Sequence, residues 1–244
     1  MNINNKESII ITGDNHGSIE KFIGLNHILG KDANKYVTIV CGDWGLVYYP
    51  ERVPYFYQQM QFKQMLAEMN DMIYFVVLGN HENYDILNSY PEKEAFGNKV
   101  LCDPNFPNIV YAKRGEIYTI CGKNFWCFGG GYSIDVNMRQ PNLSWWEQEL
   151  PTKEEKEYGL KNLKDNIDKI DYIVTHTCPQ NFIIETKIIT MTKINRELEE
   201  FLQEVFDISW DKIKKWYCGH FHIDKKSMCN KIHFLYNSFA EIGD

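Results

Sequence analysis

No stretch of this 244-residue chain is apolar for long enough to cross a bilayer as a helix: the longest apolar run, residues 72–78, falls far short of the roughly 20 residues required. The polar start, MNINNKES, has no apolar segment behind it, so neither a secretory leader nor a membrane anchor is expected and the protein reads as cytoplasmic. Paired cysteines are also missing. The seven cysteines are an odd count with no CxxC pair, which argues for reduced thiols, most of them small core residues in apolar runs, and against a disulfide framework. There is no basic excess: 26 Lys and Arg face 33 Asp and Glu, a net charge of -7, so the broad cationic surface needed to hold duplex nucleic acid is not expected. A local positive site made by metal ions stays open. Repeats, low-complexity tracts and linker-like segments are absent as well, and the length suits one α/β domain spanning 1–244.

What is present is a series of short apolar, β-branched runs at 8–12, 37–41, 72–78, 172–175 and 216–218, each of which reads as a buried strand. Between the first three lie amphipathic segments, 19–29 and 55–70, the second with Phe56, Met60, Lys63 and Leu66 at helical spacing. That alternation predicts a βαβαβ unit with parallel strands and right-handed crossovers. Residues 100–128 alternate differently and predict an antiparallel meander with a turn at Gly122 and Lys123, hence a second sheet. Thr152 followed by Glu155 opens a capping box for a surface helix over 152–167, and strand character returns at 232–236.

Every one of the five buried runs empties into side chains that bind metals: GDNH, GDWG, GNHE, THTCP and GHFH. In open α/β sheets the carboxyl ends of parallel strands gather on one side, so these distant turns can converge on one crevice. The candidate donors are oxygen and imidazole without thiolate: Asp14, His16, Asp43, Asn80, His176, His220 and His222. Seven are too many for one tetrahedral ion and suit two adjacent divalent ions with a shared carboxylate. Such donors favour manganese, iron or zinc over magnesium or calcium; manganese is the expected ion. His220 and His222, at i and i+2, would face opposite ways on a strand, so an irregular turn is expected there.

These boxes resemble the calcineurin-like metallophosphoesterase superfamily, whose pattern DxH, GDxxD, GNH(E/D), a lone H and GHxH is matched in order by GDNHG, GDWGLV, LGNHE, VTHTCP and CGHFH, from Asp14 to His222. The resemblance implies a two-sheet αββα sandwich with mixed sheets and a dinuclear site at the strand ends. It further implies that Asp14, His16 and His222 hold one ion and Asn80, His176 and His220 the other, with Asp43 bridging. His81 would be the catalytic histidine facing the leaving group. The implied reaction is hydrolysis of a phosphate ester, in which hydroxide from a water shared by the ions attacks phosphorus in line.

The chain departs from the pattern in its second box, where Leu46 and Val47 stand in the places of the family's acid and arginine. A bacterial and phage branch of the superfamily is similar in this GD-aromatic-G form. The missing acid leaves Asp85 or Glu82 as candidates to orient His81. The missing arginine makes Arg139 and Arg114 candidates to grip phosphate, since a guanidinium matches paired oxygens. Asn15, between two of the donors, is a third candidate substrate contact. Trp44 reads equally as a stacking platform or a core aromatic, whereas Trp145 and Trp146 read first as loop anchors. Gly129–Gly131 read as a close backbone approach before a phosphate nest, and Cys178 as a bystander. His27 and His233 lie outside the boxes and read as structural.

The substrate expected on this resemblance is a small phosphorylated molecule, a nucleotide or a phosphoprotein, with monoester and diester both open. Competing classes are a non-catalytic metal-binding interaction module on the same fold and a structural protein stabilised by metal. The latter would unfold when stripped of its ions.

Overall fold

Residues 3–69, 71–187 and 195–242 are described in the computed structural model. Along the chain come β1 (Ser8–Thr12), α1 (Glu20–Leu29), β2 (Tyr36–Cys41), α2 (Tyr55–Met69), β3 (Ile73–Val77), α3 (Tyr84–Asn88), β4 (Glu92–Ala95), β5 (Asn98–Cys102) and β6 (Ile109–Tyr111). There follow β7 (Glu116–Ile120), β8 (Lys123–Phe128), α4 (Lys153–Asn166), β9 (Tyr172–Thr175), α5 (Ile183–Thr186), α6 (Glu197–Ser209), β10 (Lys215–Cys218), β11 (Lys225–Lys226), β12 (Ile232–Phe234) and β13 (Phe239–Ile242).

Two mixed sheets result, in the orders β13-β1-β2-β3-β6-β5-β4 and β11-β12-β10-β9-β8-β7. In the first, β1, β2, β3 and β6 pair in parallel; in the second, β8, β9, β10 and β12 do. The period of two along each strand divides the core. On β3, Ile73, Phe75 and Val77 face inward and meet Tyr118, Phe125, Cys127 and Val174 of the other sheet. Tyr74 and Val76 face outward onto Phe22 and Leu25 of α1 and Leu66 of α2. The outer face of the second sheet, Trp126, Phe128, Ile173 and Trp216, is covered by Leu163 of α4 and by Leu198, Phe201, Leu202 and Val205 of α6. The layers are therefore helix, sheet, sheet, helix, each interface burying apolar surface removed from water at about 25 cal/mol per Å². No helix among the described residues is long and apolar enough to cross a membrane.

Two expectations are corrected. Residues 100–128 do not form one meander: β6 pairs in parallel with β3 in the first sheet, and only β7 and β8 form a hairpin in the second. The chain changes sheets at Gly115, in the left-handed region at φ 76°. The hairpin turn also lies one residue earlier than expected, at Cys121 and Gly122, whose positive φ values of 46° and 73° match the twist of the flanking strands. The α4 capping box forms as expected, with Thr152 and Glu155 each bonding the other's backbone. All seven cysteines are free thiols.

Candidate metal centre

The five strand ends named by the sequence motifs meet at one edge of the sandwich. Their backbones are unusual there: His16, Asp43, His220 and His222 all have φ between 47° and 69°. Non-glycine residues in that region cost about 1–3 kcal/mol each and are retained where surrounding contacts demand them. The turns are also packed too tightly for side chains at the neighbouring glycines. A Cβ at Gly79 would lie 2.2 Å from Asp43 Oδ1, and one at Gly219 only 2.0 Å from Asp14 Oδ1.

Two groups of donor atoms face each other across Asp43. In one, His16 Nε2 and His222 Nε2 are 2.8 Å apart, His222 Nε2 is 3.2 Å from Asp14 Oδ2, and His16 Nε2 is 3.7 Å from Asp43 Oδ2. In the other, His176 Nε2 lies 2.9 Å from Asn80 Oδ1, 3.1 Å from His220 Nδ1 and 3.3 Å from Asp43 Oδ1. Donors sharing a cation at about 2.1 Å stand roughly 3.0–3.4 Å from each other; the contacts of His176 Nε2, at 2.9 to 3.3 Å, lie close to that range, and those of the first group spread around it from 2.8 to 3.7 Å. The buried Asp14 Oδ2 makes no hydrogen bond among the described residues, an orphan acceptor that a cation would satisfy. His16, Asp43 and His81 also bring donor atoms within 4.8 Å of one another.

Supporting bonds fix which atom of each donor is presented. His176 Nδ1 donates to the Cys41 carbonyl at 2.7 Å and leaves Nε2 for the cluster. The backbone N–H groups of His220 and His81 donate to Asp14 Oδ1 and Asp43 Oδ1, both at 2.8 Å. Lys21 Nζ ties the Asp14 carbonyl to those of Gly13 and Tyr236, and the Tyr236 ring stacks on His222 at 4.7 Å. Burial lowers Lys21 to about 8. Nothing in the sequence motifs marks Lys21 or Tyr236.

The protonation pattern has the same logic. Burial opposes a charge on His176, yet the Asp43 and Asp14 carboxylates hold its pKa at about 9. Burial and the His176 charge press His220 down to about 3. Asp43 is held well below the usual carboxylate range, against its burial, by His176, His81 and His16.

His81 stands at the rim, its Nε2 4.0 Å from Asp43 Oδ2 and 2.8 Å from Arg139 Nη2. Burial, opposed by Asp43 and reinforced by Arg139, lowers it to about 4. Arg139 in turn pairs with Asp135 through Nε at 2.8 Å. Neither acid expected to orient His81 does so. Glu82 is wholly buried and accepts from the Trp44 backbone at 2.7 Å, while Asp85 accepts from the Trp146 indole at 2.9 Å. Leu46 and Val47, in the place of the missing acid and arginine, are buried against Trp44 in the outer core.

Two candidate substrate contacts are not brought to the site. Arg114 is committed to the Gly129, Gln148 and Glu149 carbonyls, to the Tyr84 hydroxyl and to Glu155, with only 6% of its side chain exposed. Asn15 is buried beneath the first turn and donates to the Trp44 carbonyl at 3.2 Å. Their residue types are right for phosphate, but protein groups already surround them. Trp44 and Cys178 are core residues, and Trp146 anchors its loop.

A cavity of about 310 Å³ opens over the donors, with Asp43, Asn80, His81, His220 and His222 among its lining. Tyr132, Ile134, Ile183 and Phe221 contribute apolar wall, and the arginines of the lining stand beside acids, Arg139 with Asp135 and Arg196 with Glu199.

Comparison with known proteins bears on the family and the fold. The family model described as calcineurin-like phosphoesterase matches residues 7–224. No curated protein matches the chain. Among solved structures, one named "Putative 5'-Nucleotidase from Staphylococcus aureus in complex with alpha-ketoglutarate" aligns with a TM-score of 0.50 at 15% identity, covering 94% of this chain and 48% of that one. The chain thus spans about half the length of that structure, and the likeness concerns the fold.

Proposed function

The chain belongs to the calcineurin-like phosphoesterase family, and on that premise we propose that it hydrolyses the phosphate ester of a small molecule with two divalent cations. Asp14, His16 and His222 would hold one, Asn80, His176 and His220 the other, and Asp43 would bridge them. The observation that carries this reading is the Asp43 carboxylate, whose Oδ2 faces His16 while Oδ1 faces His176. Carboxylate, amide oxygen and imidazole donors favour manganese, with iron or zinc as alternatives. When bound, such ions lower the pKa of a shared water and neutralise phosphate oxygens.

The chain's own residues do the rest. Arg139, on the cavity wall, meets the phosphate oxygens with its guanidinium while Asp135 holds its Nε. An arriving phosphate draws Arg139 Nη2 off His81 Nε2 and puts negative charge beside the ring. Both effects favour protonated His81, the form that can give its proton to the leaving oxygen. The apolar walls shed water around the ester and receive its organic part. A 310 Å³ cavity lies at the lower end of small-molecule sites, which fits a mononucleotide-sized ester better than a folded phosphoprotein.

Manganese-loaded protein is expected to hydrolyse p-nitrophenyl phosphate or bis-p-nitrophenyl phosphate, and the ratio of the two rates assigns monoester or diester preference. Failure on both with ions demonstrably bound would overturn the reading.

A further inference from the structure

The segment FGGGYS after β8 is not consumed by the ligand set, yet it packs directly behind one half of it. The Gly130 N–H donates to the Leu78 carbonyl at 2.8 Å and the Gly131 N–H to the Glu149 carbonyl at 3.2 Å. A Cβ at Gly131 would lie 2.9 Å from His176 Cδ2, 3.1 Å from Asn80 Oδ1 and 3.4 Å from His220 Cε1. Those are the three side chains of a single donor group. Two residues on, Ser133 Oγ accepts from Asn80 Nδ2 at 3.0 Å and donates to Glu149 Oε2 at 2.7 Å, while the Ser133 N–H donates to Glu149 Oε1 at 2.9 Å. Ser133 and Glu149 are each 1% exposed, so no solvent partner competes.

The chain of bonds has a direction. An ionised Glu149 only accepts, so the single Ser133 hydroxyl proton must go to it, and Ser133 can then only accept from Asn80. The Asn80 NH2 is thereby tied to Ser133, and its carbonyl oxygen is turned toward His176 Nε2. With the amide reversed, a donor would face the cation. We propose that Ser133 and Glu149 are positioning residues that hold the Asn80 oxygen toward one cation of the pair, with Gly131 providing the clearance for that half-site. The proposal rests on the two-cation reading.

The test is Mn²⁺ binding by calorimetry and elemental analysis, with electron paramagnetic resonance, on wild type, Glu149→Gln, Ser133→Ala and Ser133→Thr. Glu149→Gln keeps shape but lets an amide N–H donate to Ser133, which reverses the bonds and flips Asn80. Wild type is expected to take two ions with an exchange-coupled spectrum. In Glu149→Gln and Ser133→Ala the affinity for one ion should fall about 10- to 100-fold, as losses of ligand-supporting groups do. The other ion should be retained with the six-line signal of isolated Mn²⁺, and Ser133→Thr should restore the pair. Two ions bound with unchanged affinity in both Glu149→Gln and Ser133→Ala, or equal weakening of both ions with a lowered melting temperature, would overturn the inference alone. A wild type that binds one ion would overturn the two-cation reading and this inference with it.

Discussion

The His81→Ala variant is expected to lose far more rate on esters of poor leaving groups than on p-nitrophenyl phosphate. His81 Nε2 is 4.0 Å from Asp43 Oδ2 and turned to the cavity, the place from which a proton would reach a departing oxygen. A general acid is worth about 10²- to 10⁴-fold, roughly 3–5 kcal/mol of barrier at about 1.36 kcal/mol per decade. Arg139, whose Nη2 is 2.8 Å from the ring, stays in the variant and continues to offset charge on the phosphate. The expected loss therefore falls in the lower half of that range, about 10²- to 10³-fold, for an alkyl phosphate. p-Nitrophenolate departs without a proton, so its ester should lose less than about tenfold. Steady-state kcat on the two esters, with metal content measured on the same samples, reads both quantities. An equal loss on both esters would refute the proton-donor role. Loss of a bound ion together with the side chain would show instead that His81, grouped with His16 and Asp43, is a ligand.

Gly219→Ala places a Cβ 2.0 Å from Asp14 Oδ1 and 2.8 Å from the Cys41 carbonyl, so it should displace Asp14, abolish binding of at least one ion and cost about 1–3 kcal/mol; normal metal uptake would contradict the packing argument. Lys63 and Asp103 form a buried pair at 2.8 Å, with 4% and 1% of their side chains exposed. Lys63→Met should destabilise by about 3–5 kcal/mol in urea unfolding, and adding Asp103→Asn should recover much of that; a loss under about 1 kcal/mol would refute it. Burial, with Lys215 and Lys226, lowers His233 to about 4. Between pH 6.5 and 4 the unfolded state then binds the proton that the folded state refuses, so this residue makes stability fall as pH drops through that window and level off below it. His233→Phe, which keeps the ring contact with Tyr217, should flatten the fall, and an unchanged pH profile of the melting temperature would contradict the assignment.

The strands that carry the site were legible from their apolar, β-branched runs, all but that of β9 leading into a glycine: β1 and β9 have the bounds read from the residues alone, β2 and β10 differ by one residue at one end, and β3 by one residue at each end. Which sheet a short run joins was not legible. β6 is three buried residues whose parallel partner, β3, lies more than thirty positions away, so local alternation could not distinguish it from a meander. The edge strands β4 and β13 likewise depend on partners rather than composition. In the site, Asp14, Asp43, Asn80 and His220 each follow a glycine near a strand end, and His16, His176 and His222 were visible within the same series of boxes. Arg114 and Arg139 look alike in sequence, and only the five protein acceptors around Arg114 separate them. Glu82 and Asp85 were plausible partners of His81 by proximity along the chain, but each is claimed by an N–H group of a tryptophan.

The central claim is that two cations share Asp43, and anomalous diffraction from crystals of the manganese-loaded protein tests it most directly. Two peaks about 3.5–4 Å apart, one on each side of the Asp43 carboxylate, are expected. A single peak, or a pair that Asp43 does not bridge, would contradict the account.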